Sequence, residues 1–361
     1  MQLCQTSVKR LVNFVDNPTQ RGTPRPATIG LKDVAAAAGV SIATVSQVYN
    51  DKGRVSAATR RAVLETGERL GYRPNLLGKA LRSGRSQVIG IVVSYRGSAV
   101  WEETYRPYYR DVIAGAAMEA VDHGYAITAI PLIDHAEIDT QIPLDGVIIV
   151  EPVQHDPLVE RCRSQFRAVV IDGGWDGDLP GSPPSVSADI KQGVEAVLNT
   201  FVERHQQASD DRPFFPALLA GPRIDSYTSE TISCFRQWCN ERETEARVVT
   251  VQDEGPAAAA AILLDDDRIT AVHCLNETYS NSLMTLVEKR DLRVPVDLQV
   301  SLCCSARNLP MDPRLVYLSV DAVDTGARCA RALINLLEGH AVKSTLLPVR
   351  LYFNESPATG N

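Results

Sequence analysis

The chain of 361 residues is long enough for more than one domain, each with its own hydrophobic core. Hydrophobic residues make up 44% of it, and no apolar run is long enough to span a bilayer. The formal net charge is −7, but the first 86 residues hold 14 Lys or Arg against 5 Asp or Glu, a balance of +9, so the remainder carries −16. A basic front end on an acidic body indicates that the front end meets a polyanion.

The first residues, 1–27, form a basic and mildly amphipathic tail that we expect to be disordered. They lack the apolar segment and the small-residue cleavage site of a secretory signal. Eight cysteines are scattered without a Cys-x-x-Cys pair, which indicates a reduced cytoplasmic protein with buried thiols. The adjacent Cys303 and Cys304 could form a redox switch, but packing in the core explains them better.

The segment LKDVAAAAGVSIATVSQVYN, residues 31–50, predicts two short helices joined by a tight turn. Gly39 suits a positive φ in the turn, and Ser41 fits the N-cap of the second helix. On that helix Val45 and Val48 share the side that can pack against the first helix. The opposite side carries small or polar residues and one aliphatic residue: Ile42, Ala43, Ser46, Gln47 and Asn50.

Two explanations fit that second side. A surface that enters the major groove of DNA needs short side chains, hydrogen-bonding groups and a residue that can contact a methyl group. An ordinary polar helix face is the alternative. The next stretch, residues 54–74, favours DNA because it predicts a third helix with Ser56 as N-cap and Gly71 as C-cap, ended by Pro74. Three short helices can close a small core, and a short basic segment, residues 75–87, follows them.

The stretch from Leu31 to the first core strand resembles the lactose-repressor (LacI/GalR) family of bacterial transcription factors, because DVA, AGVS, TVS, VSAATR and LGYRPN occur in order without gaps. The resemblance implies a helix-turn-helix domain over residues 28–73 and a hinge over 74–87 that becomes helical only on DNA. It implies that Ile42, Ala43 and Gln47 face the bases, while Leu81 enters the minor groove beside its dimer mate. It also implies a set of residues that position the DNA backbone: Leu31, Ser41, Thr44, Ser46, Asn50, Arg54, Ser56, Thr59 and Lys79.

A leucine wedge unstacks a base step and bends the duplex. A core contact at a linker is the alternative for Leu81, and the basic residues around it favour the wedge. In this segment the sequence departs from the family at four positions, one of which is Lys79, where Arg is common. Gln47 stands where Arg is frequent, and Gln pairs with adenine edges rather than guanine. Gly78 raises the cost of folding the hinge helix by roughly 0.5–1 kcal/mol, and Gly30 replaces a capping Thr.

From residue 88 onward, strand-like and helix-like runs alternate, which predicts parallel sheets covered on both faces with a ligand cleft at the carboxyl ends of the strands. IGIVV, DGVII, VVID and LRVPVDLQV resemble the family's sensor domain, which is similar to periplasmic sugar-binding proteins. The implied fold is an all-α helix-turn-helix domain joined by a hinge to a two-lobed α/β domain, residues 88–355, for effector binding and dimerisation. Lobe one would hold about 88–188 and 321–340, and lobe two about 189–320 and 341–355.

The resemblance weakens in the cleft. The family's ligand-gripping Arg falls on Thr231, and its Gly-aromatic-Asp segment is replaced by CCS, residues 303–305. The loss of these groups weakens the prediction that the ligand is a sugar. Aromatic rings with carboxylates suit a stacked or cationic ligand. Each candidate could equally be structural. The effector candidates are Tyr95, Tyr108, Tyr109, Asp172, Tyr227, Asn276 and Glu277.

Six histidines show no metal-ligand spacing, and no P-loop, Gly-x-Ser-x-Gly or Gly-x-Gly-x-x-Gly motif occurs, so we expect no enzyme, metal or cofactor. The prediction is a cytoplasmic, nucleoid-associated transcriptional regulator, most simply a repressor. It would bind a pseudo-palindromic double-stranded DNA operator as a homodimer and respond to a small-molecule effector, a sugar or a related metabolite. Two alternatives stay open: the same regulator with a sensor that binds no small molecule or binds a protein, and a solute-binding protein. The complete helix-turn-helix argues against the second.

Overall fold

A computed structural model of the chain describes residues 29–49, 53–72, 85–94, 107–130, 138, 142–153, 155–174, 181–208, 211–221, 225–251, 254–305 and 312–353. The chain divides into two units, residues 1–83 and 84–361. The predicted tail and most of the predicted hinge therefore lie outside the described residues. Among the described residues, no helix combines the length and apolar character that crossing a membrane would need.

The first unit contains three helices: α1 (Leu31–Ala38), α2 (Ile42–Tyr49) and α3 (Ala57–Leu70). Five small side chains, Val34, Ala35, Val45, Val48 and Val63, form its buried core. The predicted turn and caps are confirmed, since the glycines after α1 and α3 have φ of 66° and 69° and the N-cap hydroxyl of α3 accepts a hydrogen bond from the amide of its third helical residue.

Two six-stranded sheets form the second unit, and the predicted β-α alternation is confirmed. The first sheet has the order β11-β5-β4-β3-β1-β2, with all strands parallel. Its strands are β1 (Val88–Val93), β2 (Ala126–Ala129), β3 (Gly146–Val150), β4 (Val169–Asp172), β5 (Ser185–Ala188) and β11 (Thr345–Leu347). Its helices are α4 (Pro107–Asp122), α5 (Pro157–Gln165) and α10 (Ala322–Leu337).

The second sheet has the order β12-β10-β9-β8-β6-β7, and only β12 runs antiparallel to its neighbour. Its strands are β6 (Pro216–Ala220), β7 (Arg247–Thr250), β8 (Ala271–Cys274), β9 (Gln299–Ser305), β10 (Val316–Val320) and β12 (Arg350–Tyr352). Its helices are α6 (Ile190–Gln207), α7 (Ser226–Glu241), α8 (Pro256–Leu264) and α9 (Glu277–Lys289). The first sheet with its helices forms lobe one, and the second sheet with its helices forms lobe two.

The structure differs from the predicted lobe boundary near the C-terminus, where residues 341–355 were expected wholly in lobe two. Strand β11 instead extends the sheet of lobe one, pairing in parallel with β5. The pairing satisfies the backbone groups along the edge of β5, and Leu347 is buried there. The final crossing to lobe two therefore lies between β11 and β12, a few residues later than predicted.

Helices α4 and α10 pack against each other so closely that only glycine fits at the contact. A Cβ on Gly115 would lie 1.9 Å from the carbonyl oxygen of Val323, and a Cβ on Gly326 would lie 1.9 Å from that of Val112. Helix α10 also packs on β3, β4 and β5. Because its first turn follows β10 directly, α10 carries the chain from lobe two back to lobe one.

Residues 85–87, the described end of the predicted hinge, are anchored to lobe one. The buried carboxylate of Asp145 accepts hydrogen bonds from the Ser86 amide (2.7 Å), the Ser86 hydroxyl (3.0 Å) and the Gln87 amide (2.9 Å). Arg85 donates to the carbonyl oxygen of Leu337, the last residue of α10, at 2.9 Å. A cation at a helix C-terminus is favourable, so the entry to the second unit is fixed at two points.

Candidate nucleic-acid interface and ligand cleft

Helix α2 presents an uncharged face to solvent. Val45 and Val48 point into the core, while Ile42 remains 45% exposed and Ala43 and Gln47 are exposed. The Gln47 side chain lies against Gly53, where an added Cβ would come within 2.9 Å of Gln47 Cδ. The three residues predicted to face bases therefore share one accessible surface, and the backbone of residue 53 supports one of them.

Paired hydroxyl groups mark the N-termini of α2 and α3. Ser41 Oγ accepts a hydrogen bond from the Thr44 amide at 3.0 Å, and the two hydroxyl oxygens are 2.9 Å apart. Ser56 and Thr59 repeat the arrangement at 3.1 Å and 2.8 Å. Helix N-termini with such donors are suited to bind phosphate oxygens.

The other residues predicted to contact the DNA backbone differ in their exposure to solvent. Arg54 is exposed, while Leu31 and Ser46 are half-buried, with Leu31 as the first residue of α1. Four of the predicted site residues lie outside the described residues: Asn50, Lys79, Leu81 and Tyr95.

A cavity of about 510 Å³ lies between the two lobes of the second unit. Its walls come from the carboxyl ends of strands in both sheets, where ligands of parallel α/β folds bind. Every effector candidate that the structure describes lines it: Tyr108, Tyr109, Asp172, Tyr227, Asn276 and Glu277. The volume falls in the range of small-molecule sites.

On the side of lobe one, two tyrosines hold two carboxylates. The Tyr108 hydroxyl donates to both carboxylate oxygens of Asp172 at 3.0 Å, and the Tyr109 hydroxyl donates to Glu151 Oε2 at 2.7 Å. Burial raises the pKa of Asp172 to about 7, although the bond from Tyr108 opposes the shift. The tyrosine rings meet edge to face, with centroids 5.9 Å apart.

On the side of lobe two, several predicted residues also have structural roles. Asn276 Oδ1 caps α9 by accepting from the Tyr279 amide at 3.0 Å, and the Tyr227 hydroxyl donates to the Leu275 carbonyl at 2.9 Å. Asp225 caps α7 through the Thr228 amide at 2.6 Å. Burial raises the pKa of Glu277.

The cavity also contains residues that the sequence argument missed. They include Glu151, directly after β3, Asp225 and Glu230 at the start of α7, and Cys303 on β9. Burial raises the pKa of Glu230 and raises that of the Cys303 thiol to about 11. The position of Glu151 immediately after a buried strand was an available signal. Glu230 follows no strand, so only the packing of α7 reveals it.

The position that aligned with a ligand-gripping Arg does not reach the cavity. Thr231 is fully buried, is absent from the described lining, and its hydroxyl has no partner among the described residues. Within the described part of the chain, no group of three His, Cys, Asp or Glu side chains could hold a metal ion. The seven described cysteines are free thiols, and Cys303 and Cys304 are both buried.

Direct contacts join the two lobes beside the cavity. Ser305 Oγ, at the end of β9, donates to Asp111 Oδ2 on α4 at 2.7 Å. The Ser226 amide of α7 donates to the Pro152 carbonyl at 3.3 Å. In this structure, therefore, the two lobes are joined by hydrogen bonds at the edge of the cleft.

Comparison with protein-family models gives two matches. Residues 30–75 match the model of bacterial regulatory proteins of the lacI family. Residues 216–356 match the model of a periplasmic binding protein-like domain. Both matches agree with the resemblance predicted from the sequence.

Known proteins similar to the chain are regulators. Catabolite control protein A of Priestia megaterium is 24% identical over 91% of this chain and 99% of its own length. The transcriptional regulator MalR of Streptococcus pneumoniae is 34% identical over 43% of this chain and 48% of its own length. A crystal structure of the lac repressor dimer bound to operator and the anti-inducer ONPF matches with a TM-score of 0.68 and 21% identity, covering 90% of this chain and 97% of that one. The predicted fold class is confirmed.

Proposed function

Because the chain belongs to the LacI family of bacterial transcriptional regulators, we propose that it is a homodimeric repressor whose two helix-turn-helix domains occupy the half-sites of a pseudo-palindromic operator. The observation that carries this proposal is the accessible, uncharged face of α2, backed by buried Val45 and Val48. Such a face can enter the major groove without leaving a charged side chain desolvated there. The regulator acts on bacterial DNA in the cytoplasm, at the nucleoid.

Each part of the interface has a distinct role in this proposal. Ile42, Ala43 and Gln47 contact base edges. Ser41 and Thr44, with the matching pair at the start of α3, hold phosphates through helix N-termini. The hinge, with Leu81 as the wedge, bends the centre of the operator. Phosphate contacts position the domain, and base contacts select the sequence.

The cleft of the second unit is the effector site. Ligand binding would change the relative stability of two arrangements of the lobes. Because residues 85–87 are anchored to lobe one, this change would alter the geometry of the hinges that lead into them. This coupling requires that the ligand bind one arrangement more tightly than the other. The 510 Å³ cavity between the lobes favours this reading over a sensor that binds no small molecule.

Selection of binding sites from a random DNA library tests the proposal. The native protein should enrich a two-fold symmetric motif, and Gln47→Arg should shift one position of each half-site toward guanine. Gln192→Arg, which adds the same charge on the exposed surface of α6, should leave the motif unchanged. The double variant Gln47→Ala, Leu81→Ala should lose specific binding. Recovery of no preferred duplex would contradict the proposed function, and an unchanged motif in Gln47→Arg would contradict the assigned docking.

A further inference from the structure

The cleft is unusually acidic for a site that takes a neutral ligand. Five carboxylate side chains line it, and none of the lining residues that the structure describes is Lys, Arg or His. Five like charges around one enclosed volume repel one another, and each loses hydration. Uptake of protons by some of them, or entry of a cation with the ligand, would offset that repulsion.

Three of the five carboxylates receive compensation from the protein. Asp172 and Glu151 each accept a tyrosine hydroxyl from α4, and Asp225 accepts a backbone amide at the N-terminus of α7. Glu230 on α7 and Glu277 on α9 accept no hydrogen bond from the part of the chain that the structure describes. Both uncompensated carboxylates therefore belong to lobe two, opposite the tyrosine-held pair of lobe one.

Aromatic rings complete the lining. Tyr108, Tyr109, Tyr227 and Tyr279 all line the cavity. The hydroxyls of the first three already donate to Asp172, Glu151 and the Leu275 carbonyl, so those donors are engaged. Tyrosine rings in a cavity wall favour a cationic ligand, because the face of an aromatic ring attracts cations. A volume of about 510 Å³ fits an organic body rather than a bare ion.

We propose that the effector is an organic cation carrying an ammonium or guanidinium group, held by Glu230 and Glu277 of lobe two and by Asp172 and Glu151 of lobe one. The inference rests on the proposed function, because it names the ligand class of the same cleft. The cavity at the strand ends defines the position of the site, and the charges of its lining indicate only which class of ligand it binds. A neutral sugar could occupy the space, but it would bring no counter-charge to the five carboxylates, and the described lining supplies none.

This arrangement also couples ligand to conformation. Closing the lobes brings the carboxylates of lobe two toward those of lobe one, so repulsion across the empty cleft opposes closure. A cation between them reverses the sign of that interaction. The ligand therefore binds the closed arrangement more tightly than the open one, which is what an allosteric effector requires.

Isothermal titration of the full-length protein, without DNA, tests the proposal with matched probes. Glucosamine and spermidine supply ammonium groups on a sugar and on an aliphatic chain, and agmatine supplies a guanidinium. Glucose and N-acetylglucosamine are the neutral counterparts of glucosamine, and 1,4-butanediol is the neutral counterpart of the two chain probes. We expect at least one cationic probe to bind about tenfold or more tightly than its neutral counterpart, since charge-assisted hydrogen bonds dominate the site. The arm that binds identifies whether the cation sits on a sugar or on a chain.

Variants locate the binding. Glu230→Gln with Glu277→Gln should weaken binding of the cationic probe by about tenfold or more, because both substitutions keep the shape and remove the charge. Glu203→Gln, the same change on the exposed surface of α6, should leave binding unchanged.

Equal affinity for the cationic and neutral probes would overturn the inference, as would binding that the double variant leaves intact. It would also be overturned if no cationic probe bound at millimolar concentration. In each case selection of a symmetric DNA motif would still stand, so failure of this inference is distinguishable from failure of the proposed function.

Discussion

The two functional regions of the chain solve opposite electrostatic problems. The surface of α2 that we propose meets DNA carries no charged residue, although it belongs to a basic segment, and the groups it offers for binding are hydroxyls, an amide and helix N-termini. The cleft collects five carboxylates inside an acidic body. In the proposed function the first region meets a polymer whose charge is spread along its backbone, so a small, neutral face suffices to contact the bases. The second would recognise one small molecule, and its concentrated charge would serve that recognition.

The regions also differ in how they are assembled. All the described residues of the proposed DNA interface lie within about 30 positions, on three consecutive helices or just before them. The cleft takes residues from Tyr108 to Val320, from both sheets. A single disruptive substitution in the first region should therefore unfold the whole small unit. A single substitution in the second region should lower ligand affinity only in part.

The largest effect is expected from a charge in the core of the first unit. Val45→Asp buries a carboxylate without a partner among the four other small apolar residues of the core, at a cost of several kcal/mol. We expect specific DNA binding to fall by more than about a hundredfold, while thermal unfolding of the second unit and titration of the cleft stay unchanged. Val296→Asp, at a 57% exposed position, is the control. An equal loss of stability in the second unit would show that the two units do not fold independently.

A smaller loss is expected where the hinge enters lobe one. Asp145→Ala leaves three donors of Ser86 and Gln87 without their acceptor, and we expect the free energy of unfolding of the second unit to fall by about 2–4 kcal/mol. Urea denaturation followed by tryptophan fluorescence measures it. Asp267→Ala, on the exposed surface, should have no effect. A change below about 0.5 kcal/mol would mean that this anchor does not stabilise the second unit.

Much of the first unit could be predicted from sequence because its determinants are local. A serine before α2 and before α3 and a glycine after α1 and after α3 set the ends of these helices, and the spacing of Val45 and Val48 sets the buried side. In the cleft, Tyr108 and Asp172 were predicted from a resemblance and a strand end. Glu230 and strand β11 were not, because their positions depend on how distant segments pack. The cleft's total charge became visible only once those segments were brought together.

The pH dependence of ligand binding sharpens the contrast. Because the pKa of Asp172 is raised to about 7, its ionisation lowers the free energy of unfolding as pH rises from about 4 through 7. A cationic ligand favours the ionised form, so binding below pH 7 requires loss of a proton. We expect affinity for the cationic probe to fall by up to about tenfold per pH unit below 7 and to level off above it.

The groups that face Asp172 are Tyr108 on α4, Glu151 on the neighbouring strand end and Cys329 on α10. Burial raises the pKa of Tyr108 and Cys329 well above their usual values, so neither titrates near pH 7. Titrations at several pH values measure the slope. Asp172→Asn should flatten it, and Glu203→Gln should keep it. A slope that survives in Asp172→Asn would assign the titration to another group.

The smallest effect is expected at the contact between the lobes. Ser305→Ala removes the hydrogen bond to Asp111 that joins the end of β9 to α4. Because water can replace the lost donor when the lobes part, the closed arrangement should lose only about 1 kcal/mol, and affinity in the cleft should fall about fivefold. Ser164→Ala, which removes a hydroxyl that donates to the Arg161 carbonyl, is the control. DNA binding by the first unit in the absence of ligand should not change.

Titration measures the affinity, and small-angle scattering measures the separation of the lobes. If both stay at native values in Ser305→Ala, the lobes close without help from this bond, and the bound cation and the Ser226–Pro152 hydrogen bond hold them together.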